Sequence, residues 1–159
     1  MLKDEKVSDI MSILFTKEGY EMLITEEKNL TEKRKETLEH LKKAREMGDL
    51  SENGYYKAAK FELGNIDRRL KELKRLQKIG KIAEVSDNSC VGIGSLVTIY
   101  DGEKMFSYKI VGELESNPLE GRLSHKSPIG RVLMGEKTGE HVSIKTPRGE
   151  TRITIHKIA

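Results

Sequence analysis

The pattern of apolar and polar positions divides the chain into two halves. Residues 16–47 contain no proline and a single glycine, Gly19, and strong helix formers dominate. Apolar residues recur as Leu23, Leu30, Leu38, Leu41 and Ala44, with Thr37 between them, which predicts one long helix. Thr16, ahead of Lys17, Glu18 and Gly19, is a candidate cap. The seam is imperfect: Glu27 and Arg34 stand where the register prefers apolar residues, and are expected in solvent or against a second domain. A second run is cleaner. Tyr56, Ala59, Leu63, Ile66, Leu70, Leu73 and Gln77 step by three and four, a heptad seam with one polar end, and Gly80 is a stop signal. Helices of roughly 30 residues would each be about 45 Å long. Joined by a short connection, they predict an antiparallel hairpin.

Beyond residue 94 the period changes to two. Residues 95–101, 105–113, 140–146 and 150–157 are short, β-branched and roughly alternating, as strands are. Ser127 and Pro128 form a helix start, with serine as cap and proline in the first turn, so a short helix over 128–134 is expected among the strands. All three prolines and nine of the 14 glycines follow residue 85, which puts a boundary near 84–94. The predicted organisation is an extension over 1–12, a coiled-coil hairpin over 13–84 with its tip at 47–55, a linker over 85–94 and an α+β domain over 95–159.

Composition sharpens this picture. Of the first 85 residues 36 are charged, against 19 of the remaining 74, so the first half reads as a solvated, extended structure and the second as a compact domain. A net charge of +3 is too small to predict tight binding to a nucleic-acid backbone by bulk electrostatics. One cysteine, Cys90, excludes an internal disulfide and a multi-cysteine metal site, and fits a reducing cytoplasmic compartment. No apolar run approaches a membrane span, and residues 1–12 do not resemble a signal peptide. Gly92-Ile93-Gly94 lacks the rest of a dinucleotide fingerprint, and His40, His125, His141 and His156 have no ligand-like spacing.

The chemistry is expected where the helical run breaks, at MGDLSENGYY (47–56). Gly48 is suited to the left-handed conformation that ends a helix, and Asp49 or Ser51 to capping the next. Asp49 and Glu52 have capping-box spacing, so they read as structural acids. They also sit at the far end of a hairpin, where a tip is suited to reaching into something. Spacing leaves both readings open.

The stretch AREMGDLSENGYYKAAK (44–60) resembles the tip of the bacterial Gre transcript-cleavage factors, of the GreA type, whose recurrent pattern is A-R-x-x-G-D-L-S-E-N-A-E-Y-x-A-A-[KR]. It departs at Gly54 and Tyr55, where the family usually has Ala-Glu. ILFTKEGYEML (13–23) and GKIAEV (80–85) resemble the family's hairpin entry and exit. GSLVTIYD, YKIVGELE, SHKSPIGRVLMGEKTGEHVSIKTPRGE and ITIHKI resemble its C-terminal domain, so the similarity is collinear over about 13–158.

The resemblance implies a coiled-coil hairpin followed by an FKBP-like α+β domain. It implies a transcription elongation factor that inserts its hairpin into the secondary channel of RNA polymerase. There Asp49 and Glu52 would help hold a Mg²⁺ ion shared with the polymerase, which would hydrolyse backtracked RNA. The chain would lend acids without being an enzyme itself. Arg45, Ser51, Asn53, Lys57 and Lys60 would contact the polymerase or the nascent RNA 3′ end. Ser127, Pro128, Ile129 and Gly130 would dock on the polymerase, with the apolar residues of 127–135 split between core and partner. Neither a membrane nor a small-molecule substrate is expected. Tyr55 removes a usual tip acid, which argues against the acid-rich inhibitory homologues. It also keeps open an alternative, a channel-binding regulator that does not promote cleavage.

Overall fold

A computed structural model describes residues 12–49, 53–84, 87–147 and 149–159. Apart from Ser12, the N-terminal extension lies outside these, as do Leu50, Ser51 and Glu52 of the tip and residues 85–86 of the linker. By contacts the chain forms two units, one of residues 21–79 and one of residues 1–20 and 80–159.

The first unit is the helical hairpin. Helix α1 spans Lys17–Glu46 and helix α2 spans Gly54–Ile79. The α2 seam is the expected one, with Ala59, Ile66, Leu70 and Leu73 buried and Leu76 as well. On α1, Thr37, Leu41 and Ala44 are buried, whereas Leu38, expected in the seam, is 38% exposed because the heptad passes through Thr37 instead. The two misfit positions face the partner helix. Gln77 donates to Glu27 at 2.8 Å, and Arg34 donates to Asp67 at 2.6 Å. Further along, Arg69 makes a two-pronged pair with Glu26 at 2.6 and 2.8 Å, and Lys33 meets Glu62 at 2.8 Å. The misfit positions are thus matched by polar partners on the other helix; only the Glu27–Gln77 and Glu26–Arg69 contacts are part-buried, and the Arg34 and Lys33 pairs lie at the solvent-exposed edge.

The second unit is a five-stranded sheet of order β5-β4-β3-β7-β6, built from β3 (Leu96–Tyr100), β4 (Met105–Val111), β5 (Arg122–Ser124), β6 (His141–Thr146) and β7 (Gly149–Ile158). All pairs are antiparallel except β4 with β5. Alternation sends Val97, Ile99, Ile110, Val142, Ile144, Ile153 and Ile155 into one core, closed by Leu133 of helix α3 (Pro128–Leu133). Four of these strands were legible in the sequence; β5 was not, being only three residues long. Val91, expected in a linker, is 1% exposed in this core and exchanges backbone hydrogen bonds with Gly135 and Glu136, so the unit begins before residue 95.

A short parallel pair also belongs to this unit. β1 (Ile13–Phe15) pairs with β2 (Gly80–Ile82), leading into α1 and out of α2. Thr16 caps α1 as expected, accepting the amide of Gly19 at 3.0 Å. The Glu115 carboxylate accepts the amides of Thr16 at 2.8 Å and Gly112 at 3.1 Å, and the Thr16 hydroxyl as well.

Candidate functional site

The hairpin tip is assembled from both helix ends. Helix α1 stops at Glu46; the Met47 amide reaches the Ala44 carbonyl at 3.3 Å, and Gly48 takes φ +114°, a conformation that side chains disfavour. Asp49 follows, exposed. The expectation that Asp49 or Ser51 caps α2 is corrected here: the cap is Asn53. Its Oδ1 accepts the Tyr56 amide at 3.1 Å, and its backbone carbonyl accepts the Lys57 amide. Its Nδ2 donates to the Ala44 carbonyl at 2.8 Å. An amide can accept and donate at once. A carboxylate cannot, which gives Asn53 the advantage at a position that must serve both helices.

Arg45 and Tyr56 meet beside this cap, the guanidinium carbon lying 5.7 Å from the ring centroid, within cation–π range. Tyr56 is half-buried on the seam, while Tyr55 is 70% exposed. The structure therefore brings Arg45, Asn53 and Tyr56 together at one end of the hairpin, close in sequence to Asp49. Lys57 and Lys60 are exposed and line a shallow cleft on α2 with Phe61 and Gly64. Phe61, which sequence reasoning passed over, is 73% exposed and stands on the side of α2 away from the buried seam; an aromatic residue off the three-and-four spacing was the available signal.

In the sheet unit, Ser127 caps α3 by accepting the Gly130 amide at 3.0 Å, with exposed Pro128 at the first turn. Gly130 is buried, and a Cβ there would lie 2.1 Å from the Ser124 carbonyl oxygen. Leu133 is fully buried, and Ile129, Val132 and Met134 pack partly against the core. Most of the apolar surface of 127–135 is thus spent internally. Next to it, Lys126 pairs with Glu113 at 2.7 Å and holds that carboxyl below its ordinary range.

These features define an α+β protein whose long N-terminal helical hairpin ends in a braced, acid-bearing turn. The family model described as "Transcription elongation factor, N-terminal" matches residues 13–81, and that of "Transcription elongation factor, GreA/GreB, C-term" matches 86–159. Transcription elongation factor GreA of Thermosipho melanesiensis is 43% identical over 147 residues, covering 90% of this chain and 94% of that one. GreA of Bacillus velezensis is 42% identical over 149 residues, covering 91% and 94%. The solved GreA factor homolog 1 of Thermus thermophilus is 28% identical over 93% of this chain and 99% of that one, with a TM-score of 0.44. The chain belongs to the GreA/GreB family of transcription elongation factors. Among the described residues no helix is long and apolar enough to cross a membrane.

Proposed function

We propose that this transcription elongation factor acts in the cytoplasm by lending its tip acids, Asp49 and Glu52, to the active site of RNA polymerase when the enzyme has backtracked. The hairpin enters the secondary channel, and the polymerase then cleaves the extruded RNA. The observation that carries this reading is the capping of α2 by Asn53, because Asp49 is then not needed as the helix cap. The donor set suits Mg²⁺, since carboxylate oxygens are hard ligands and Asp49 is exposed. Two carboxylates supply only part of an octahedral shell, so the remaining ligands come from the polymerase and the RNA. Bound there, the ion would activate water or stabilise the leaving oxygen. Asn53 holds the turn, Ser51 lies beside the acids in sequence, and Arg45, Lys57 and Lys60 supply positive charge for the RNA 3′ segment. Of the expected docking segment, exposed Pro128 is the leading contact on the polymerase, flanked by half-buried Ser127 and Ile129, while buried Gly130 serves by letting the helix sit close to Ser124.

The test uses a stalled, backtracked polymerase carrying 3′-labelled RNA. Addition of the protein with Mg²⁺ releases a short 3′ fragment, and Asp49→Asn abolishes the release while polymerase binding is retained. Binding without any fragment from the unaltered protein would instead make it a non-cleaving channel regulator.

A further inference from the structure

The Glu115 carboxylate lies where two distant stretches of chain touch, and both of its oxygens are used. One accepts the backbone amides of Thr16 and Gly112 at 2.8 and 3.1 Å, and the other accepts the Thr16 hydroxyl. That hydroxyl oxygen in turn accepts the Gly19 amide at 3.0 Å and so caps α1. A single side chain from the turn after β4 therefore holds the first turn of α1. Hydrogen bonds to an ionised acceptor are the stronger kind. The neighbouring tie, Lys109 with Glu18 at 3.4 Å, is solvent-exposed and contributes little.

Two buried glycines make room for this clasp. A Cβ on Gly112 would run into the Leu14 carbonyl oxygen, and a Cβ on Gly19 would run into the Glu115 carboxylate itself. Gly19 stands in the first turn of a 30-residue helix, where alanine is intrinsically the better residue. The helix forgoes that preference, and Glu115 fills the space.

The clasp lies wholly within the unit of residues 1–20 and 80–159, yet α1 runs unbroken from Lys17 to Glu46 and leads to the tip turn. Over about 45 Å of helix, each degree of rotation at the root moves the far end by about 0.8 Å. A misplacement of about 1 Å can cost two orders of magnitude in a reaction that depends on orientation.

We propose that Glu115 is a positioning residue for the tip: it fixes the first turn of α1, so that the acids at the other end reach the polymerase active site in register. This rests on the reading of Asp49 and Glu52 as acids lent to the polymerase. Glu115 acts through Thr16 and α1 and touches neither metal nor RNA.

The experiment uses the full-length protein and three variants. Glu115→Ala removes the acceptor. Gly19→Ala displaces the carboxylate while favouring the helix, so loss of fold does not explain its effect. Glu115→Gln keeps an oxygen for the two amides and an N–H for the Thr16 oxygen. On backtracked polymerase, Glu115→Ala and Gly19→Ala should lower the cleavage rate at saturating protein by about ten-fold or more. The half-saturating concentration should stay at the parental value, and Glu115→Gln should restore the rate. The same variants then carry spin labels on cysteines replacing exposed Met47 and Lys157, with Cys90 changed to serine. The distance distribution should broaden in Glu115→Ala and Gly19→Ala and stay narrow in the parent and in Glu115→Gln. Parental width in both broadened candidates would overturn the proposal. So would a cleavage loss matched by lost affinity for polymerase, or by a lower melting temperature of Gly19→Ala. If the unaltered protein released no fragment, the cleavage reading would fail, while the label distances would still decide the role of Glu115.

Discussion

Asn53 donates its side-chain amide to the Ala44 carbonyl at 2.8 Å and thereby ties the last turn of α1 to the first turn of α2. The same side chain caps α2 through its oxygen. Asn53→Ala removes both bonds and should cost about 2 kcal/mol in chemical denaturation followed by circular dichroism. Asn53→Asp keeps the cap and loses the donor, so it should cost about half as much. An aspartate variant as stable as the parent would mean that the Ala44 bond contributes nothing.

The polar rung between Glu27 and Gln77 lies among apolar seam positions. Replacing both residues by leucine should raise hairpin stability by about 1 kcal/mol, because well-packed apolar pairs generally match or exceed such contacts. A thermal melt decides this. A lower transition in the double variant would show the rung to be worth more than packing.

Two glycines are required by close approach of backbone. A Cβ on Gly112 would lie 2.0 Å from the Leu14 carbonyl oxygen, and one on Gly130 would lie 2.1 Å from that of Ser124. Backbone atoms on both sides leave little room to yield, so each Gly→Ala change should destabilise the sheet unit by about 2–3 kcal/mol. Gly64→Ala meets nothing and should stabilise α2 by up to about 1 kcal/mol. Urea midpoints of the three variants should separate accordingly.

The turn between β3 and β4 should respond to acid through Asp101. The Asp101 carboxylate accepts the amides of Lys104 at 2.8 Å and Glu103 at 2.9 Å, and these bonds lower its pKa from the ordinary 3.8. A depressed folded-state value means the contribution is present above 3.8 and is lost as pH falls through the lower, folded value. An NMR titration should place the Asp101 midpoint below 3.8, and Asp101→Asn should flatten stability against pH on the acid side. A midpoint at or above the ordinary value would count against those hydrogen bonds.

Local pattern carried much of this protein into the sequence itself. The three-and-four spacing from Ala59 to Leu73 determined α2 and its buried side, and the absence of proline with Thr16 at the start determined α1. Gly48 marked the turn, and alternation marked β3, β4, β6 and β7, because burial on one face of an element leaves its own period in the chain. The tip motif was legible in the same way, as a contiguous string of residues. What tertiary structure alone decided is non-local. Glu27 finds Gln77 50 residues away, and Thr16 finds Glu115 across 99, distances at which no period links the partners. The three-residue strands β1, β2 and β5 are too short to show alternation and exist through the strands they pair with. The choice of Asn53 as cap likewise needed the Ala44 carbonyl in reach: capping spacing admitted Asp49 or Ser51, but only a side chain that donates and accepts together could satisfy both helix ends.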